Sequence, residues 1–181
     1  MTNPHYRDDD YNYGDFDDYG WPGERESYRE RAFREMISVL ENNFPDLGKL
    51  NVLEIATMNG QFTGKLVEVF KHVTTIDPEL DMKEDYDNLT KEKERFDCDR
   101  DCSNYDLLVS NSACTADESM VCASQKYNVP FFAILCSCAH GFKSKHARYE
   151  ALKSKSPNAT LYKDTNAIWY LTSLNTGHKK D

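Results

Sequence analysis

The chain lacks any apolar run long enough to cross a membrane, and its opening residues, MTNPHYRDDD, offer neither a basic start nor a hydrophobic stretch. No membrane span and no secretory signal are expected, and the location that follows is cytoplasmic. Hydrophobic residues are sparse, 39% of 181 positions with a mean hydropathy of −0.75, so polar residues should gather in segments outside the core. Positive charge is in deficit. The formal net charge of −9 excludes a protein that coats nucleic acid without regard to sequence. Cysteine numbers only six, and without a secretory signal these read as reduced thiols, several of them small core residues in apolar runs, rather than as a disulfide framework. No internal repeat or low-complexity linker divides the chain, whose length suits one domain at 25–176, between an acidic tail at 1–24 and a short tail at 177–181.

What is present is organised around 50–78, LNVLEIATMNGQFTGKLVEVFKHVTTIDP. An apolar run at 51–56 is followed by a turn at Asn59-Gly60. An amphipathic segment at 61–71 places Phe62, Leu66, Val69 and Phe70 on one side, and a β-branched run at 72–77 stops at Asp77-Pro78. Strand, turn, helix and strand with an acidic end is the first unit of a nucleotide-binding α/β sheet. Upstream, Phe33, Met36, Ile37 and Leu40 form one stripe of a helix over 26–43. Downstream, 79–95 is dominated by charge and reads as a solvated helix or loop, with a short third strand at 95–98. A buried strand at 105–110 precedes a helix at 116–127, with Thr115 and Glu118 spaced for a capping box. The run at 130–136 is apolar on both faces, as central parallel strands are. A basic helix at 144–154 follows, and strands at 159–163 and 167–172 close a hairpin through Asp164-Thr165-Asn166. The expected class is therefore α/β, a Rossmann-like three-layer sandwich with a mostly parallel sheet and a C-terminal antiparallel hairpin.

This order of elements resembles the class I S-adenosylmethionine (SAM)-dependent methyltransferases over roughly 30–174, the terminal hairpin being what separates them from dinucleotide-binding Rossmann domains. The first motif of that family would be Glu54-Ile55-Ala56-Thr57-Met58-Asn59-Gly60, which keeps the acid and the last glycine but has Ala56 and Met58 where glycine is frequent. Asp77 stands where the family holds the ribose hydroxyls, and Phe96-Asp97 where it flanks adenine. Ser110-Asn111-Ser112-Ala113 replaces the Asp/Asn-Pro-Pro-aromatic tetrad of many amino- and base-methylating members, which argues against N-methylation through that arrangement. Cys114-Thr115-Ala116-Asp117 and Cys136-Ser137-Cys138 resemble a less common methyltransferase-like subgroup, some of whose members are linked to RNA. The resemblance implies SAM as cofactor, lined by Glu54, Ala56, Asn59, Gly60 and Asp77, with Ser110, Asn111 and Ser112 facing the methyl group. The acceptor would be RNA or a small molecule.

Other chemistries compete. Cys98, Cys102, Cys136, Cys138, His140 and His146 are metal-ligand types, but only Cys98-x3-Cys102 has knuckle spacing, in an acidic loop, so no metal is expected. Cys136 or Cys138 would need a nearby cation or helix start to act as a nucleophile. Lys143, Lys145, His146, Arg148, Lys153 and Lys155 form a solvated basic face or a phosphate contact; residues 143–181 carry eight Lys and Arg against three acids. The tail at 1–24, with Tyr11, Tyr13, Phe16, Tyr19 and Trp21 among its acids, is disordered, docks a protein partner or folds back over the site. A non-catalytic binding or scaffold protein of the same fold is the alternative to an enzyme, and a domain for another adenine cofactor a third reading.

Overall fold

The computed structural model describes residues 27–57, 60–165 and 167–177, so the tail at 1–24, and with it any docking role, lies outside the described residues. Helix α1 (Tyr28–Glu41) begins at a capping box. The Ser27 hydroxyl accepts from the Glu30 amide at 3.2 Å, and the Glu30 carboxylate accepts from the Ser27 amide at 3.0 Å. Two backbone donors that a helix start leaves unpaired are thereby satisfied. A 3-10 turn at Leu47–Lys49 leads to β1 (Asn51–Ile55), followed by α2 (Gln61–Val69), β2 (His72–Ile76), β3 (Leu89–Glu92), β4 (Leu107–Asn111), α3 (Ala116–Tyr127), β5 (Phe131–Leu135), α4 (Lys145–Lys155), β6 (Thr160–Lys163) and β7 (Trp169–Thr172).

The strands form one seven-stranded sheet in the order β3-β2-β1-β4-β5-β7-β6. Strands β1 to β5 run parallel, and β7 is antiparallel to both β5 and β6. Because side chains alternate across a strand, each central strand feeds two cores. Leu53, Ile55, Leu108, Phe131 and Ala133 pack with Met120 and Val121 of α3 and with Tyr149 and Leu152 of α4. Val52, Val109, Phe132, Ile134 and Tyr170 pack with Met36 and Leu40 of α1 and with Phe62 and Leu66 of α2. The result is the three-layer sandwich the sequence predicts. The hairpin forms as expected, its turn tied by Asp164, whose carboxylate accepts from the Ile168 amide at 2.8 Å and from the Tyr170 hydroxyl at 3.2 Å.

Three expectations are corrected. The third strand is Leu89–Glu92, not 95–98. As the sheet's edge it buries little and keeps charge, with Lys91 paired to Asp85 at 2.5 Å and Glu92 to Arg100 at 2.6 Å, so it carries no apolar signature. The six cysteines are not all free thiols. The loop after β3 folds onto α3, where Lys126 pairs with Asp99 at 2.9 Å, and Cys98 is disulfide-bonded to Cys122 with their Cα atoms 5.5 Å apart. Finally, Thr115 caps α3 without a side-chain hydrogen bond, and Glu118 pairs with Lys155 of α4 instead of closing a capping box. Among the described residues no helix is long and apolar enough to cross a membrane.

Candidate functional site

Open α/β sheets bind ligands beyond the carboxyl ends of their strands, at the point where strand order reverses. Here that point lies between β1 and β4. The turn after β1 contains Ala56 at φ 62°, its amide donating to the Ile76 carbonyl at 2.9 Å, and Gly60 at φ 75°, which caps α2. A Cβ at Gly60 would also lie 2.5 Å from Cγ and Sδ of Met82, so both backbone conformation and close approach select glycine. Met82, buried in the loop after β2, thus rests directly on this turn. Met58 and Asn59 lie outside the described residues.

Glu54 is buried and turned toward α2, accepting a hydrogen bond from the Thr63 hydroxyl at 2.5 Å, with Thr57 joined to Thr63 at 2.7 Å. Burial pushes its carboxyl up to about 7, against the opposing hydrogen bond of Thr63 and the neighbouring hydroxyls of Thr57 and Thr75. Asp77 is also buried, and its Oδ1 accepts from the Glu79 amide at 2.7 Å, an Asx turn that reverses the chain past Pro78. Phe96 is buried in the core cluster that holds Ile55 and Ile76, while Asp97 accepts from the amides of Asp99 and Arg100.

At the end of β4 the three residues expected to face a methyl group diverge. Ser110 is buried and donates to Asp117 Oδ1 at 2.9 Å. Asn111 and Ser112 are half-buried on the rim, and Ser112 has φ 59°. Tyr28, at the start of α1, reaches this rim beside Ser112, and burial raises its hydroxyl above the ordinary range. Nothing in the local sequence marks Tyr28 as a site residue, because only the sheet brings α1 to the end of β4.

The fold also assembles a group that no spacing rule joins. Cys114 follows β4, while Cys136, Cys138 and His140 lie on the loop after β5, and their Sγ and imidazole atoms all fall within 4.8 Å of one another. Cys114 Sγ lies 3.3 Å from Cys136 Sγ, which lies 3.9 Å from His140 Nε2. Arg148, expected on a solvated face of α4, is buried beneath this cluster. Its guanidinium donates to Asp117 Oδ2 at 2.6 Å, to the Cys114 carbonyl at 2.5 Å and to Cys136 Sγ at 3.3 Å. The hydrogen bond with Cys114, the Cys138 amide and the Arg148 charge hold the Cys136 thiol well below its usual range, and the same Cys114–Cys136 contact pushes Cys114 up. Burial raises Asp117 to about 6 despite Arg148, leaving it ionised at neutral pH. Ala56, Ser112, Cys114 and His140 all have positive φ on this one rim; such strain in non-glycine residues collects at functional sites.

The sequence matches no protein-family model, and comparison with curated proteins finds no match either. Solved structures do match. The N-methyltransferase NodS from Bradyrhizobium japonicum WM9 superposes with a TM-score of 0.54 at 16% identity, over 80% of this chain and 93% of that one. An rRNA methylase from Streptococcus thermophilus gives 0.51 at 13% identity, over 77% and 93%. DhpI in complex with S-adenosylhomocysteine gives 0.50 at 16% identity, over 80% and 86%. At such identities the likeness concerns the backbone, and with the strand order and terminal hairpin it gives one conclusion: the chain has the fold of the class I SAM-dependent methyltransferases.

Proposed function

We propose that the chain is a SAM-binding, methyltransferase-like protein, its cofactor lying over the carboxyl ends of β1, β2 and β4. The observation that carries this reading is the pairing at one switch point of a left-handed, glycine-capped turn after β1 with a buried acid ending β2. Gly60 supplies the left-handed backbone that opens α2, Ala56 turns the chain, and the Asp77 carboxylate is the group to accept ribose hydroxyls. Glu54 supports the turn through Thr63 and Thr57, and Asn111 and Ser112 border the methyl end, with Ser110 positioned behind them; Asn59 is assigned to the cofactor from its place in the sequence motif alone. Methyl transfer needs chiefly an acceptor held in line with the methyl group, so no general base is required. RNA or a small molecule is the acceptor; the exposed Lys143 and Lys145 beside the rim, and the rRNA methylase among the similar folds, favour RNA as the first to try. The acidic, aromatic tail at 1–24 is assigned to a protein partner, which protease mapping with and without ligand tests.

Calorimetry with SAM and S-adenosylhomocysteine tests the cofactor. Micromolar binding of both is expected. Asp77→Ala should weaken it about tenfold or more, a charge-assisted hydrogen bond contributing roughly 1.5–3 kcal/mol; an unchanged affinity would remove Asp77 from the ribose. A second reading, a non-catalytic binding protein, rests on Met82, which occupies the space against Gly60. If wild type binds neither ligand but Met82→Ala does, Met82 closes the groove and that second reading stands.

A further inference from the structure

We infer that Cys114, Cys136, Cys138 and His140 form a zinc site that pins the loops after β4 and β5 to one another. Four ligand atoms, three sulfurs and one imidazole nitrogen, lie within 4.8 Å of one another. A tetrahedral zinc, with Zn–S near 2.3 Å and Zn–N near 2.0–2.1 Å, sets S···S edges at about 3.8 Å and S···N edges at about 3.5 Å. The observed 3.3 Å between Cys114 and Cys136 and 3.9 Å between Cys136 and His140 each lie within about 0.5 Å of those edges, and with no pair beyond 4.8 Å, closing on an ion needs shifts on the order of 1 Å. Thiolates and imidazole suit Zn²⁺, whereas Ca²⁺ and Mg²⁺ take oxygen ligands.

The surroundings fit the same ion. Three thiolates, a neutral imidazole and Zn²⁺ leave one net negative charge, and the buried Arg148 guanidinium lies 3.3 Å from Cys136 Sγ to meet it. Arg148 also holds the Cys114 and Cys136 carbonyls, fixing the backbone of two ligands, and is itself oriented by Asp117. Outer groups of this kind orient metal ligands. Cys114 at φ 54° and His140 at φ 43° take conformations that side-chain-bearing residues rarely adopt, which a shared ion would stabilise. Four protein ligands leave no open position, so the site is structural, and what it fixes is the rim carrying Asn111 and Ser112. Nothing here depends on SAM binding.

The test is metal content of the purified, reduced chain, followed by cobalt substitution. Elemental analysis should give about one zinc per chain, and Co²⁺ should produce thiolate-to-metal charge-transfer bands with the intense visible bands of a tetrahedral centre. Cys138→Ser and His140→Ala, on the more exposed half of the cluster, should keep native circular dichroism yet weaken zinc by more than about tenfold. Cys102→Ala, outside the cluster, should bind as wild type. Reduced, folded protein that takes up neither zinc nor cobalt would overturn the site, as would Cys138→Ser and His140→Ala variants that bind like wild type. Recovery of a Cys114–Cys136 disulfide whose reduction restores no metal binding would overturn it in favour of a redox pair.

Discussion

Glu54 sits where charge is costly. Its carboxyl is buried against threonine hydroxyls and titrates near 7 instead of the ordinary 4.5. The folded protein therefore keeps a proton that the unfolded chain releases, a stabilisation full below about pH 4.5 and lost as pH rises to about 7. Glu54→Gln, which has no proton to lose, should flatten that fall and gain on the order of 3 kcal/mol at pH 8. Urea denaturation of both proteins across pH 4–8 reads it. Asp117, raised to about 6, slopes the same way, so the difference between the two curves isolates Glu54. Arg148 is the opposite case, a buried cation whose partner is in place. Arg148→Met strands the Asp117 carboxylate and should cost about 3–5 kcal/mol, while adding Asp117→Asn should return much of that loss. Denaturation midpoints showing no recovery in the double variant would mean that Arg148 acts through the loop carbonyls alone.

Elements owe their ends to single contacts. Ser27 opens α1 with a reciprocal cap, so Ser27→Ala should lower stability by about 1 kcal/mol in thermal or urea unfolding. The edge strand β3 relies on pairing rather than burial, and the loop behind it is held by Cys98–Cys122. Closing a loop of that span removes entropy worth roughly 3–4 kcal/mol from the unfolded chain. Cys98→Ser with Cys122→Ser should then lower the midpoint of non-reduced protein but leave reduced protein unchanged. Equal midpoints for both under non-reducing conditions would show that the bridge does not form in solution.

The described residues form one sheet between two apolar layers, and the layers share every central strand. Phe131 faces α3 and α4, while its neighbour Phe132 faces the α1 and α2 side and meets Tyr170 at 5.6 Å between ring centres. Truncating either to alanine should cost about 3–5 kcal/mol and shift a single cooperative transition. Two separated transitions by circular dichroism would instead show that the layers unfold independently.

Much of this was legible in the chain itself. Periods of two and 3.6, the Asn-Gly and Asp-Pro punctuation and the doubly apolar run at 130–136 specify strands and helices locally, and their alternation with a closing hairpin specifies the sheet. The edge strand carries no apolar signal because an edge needs none, whereas the Ser27-x-x-Glu30 cap is written plainly in its spacing. Contacts between distant residues were beyond reach: Cys98 with Cys122, Tyr28 with Ser112, Arg148 with Asp117, and Cys114 with the Cys136–His140 loop. Spacing pointed to Cys98 and Cys102 as the metal-like pair, whereas parallel β4 and β5, ending side by side, bring Cys114 to Cys136. The sequence by itself determined which segments become strands and helices, because backbone preference and side-chain periodicity act over a few residues. Which thiols, acids and cations share a site was decided only by strand order in the tertiary structure, because electrostatics and coordination act through space.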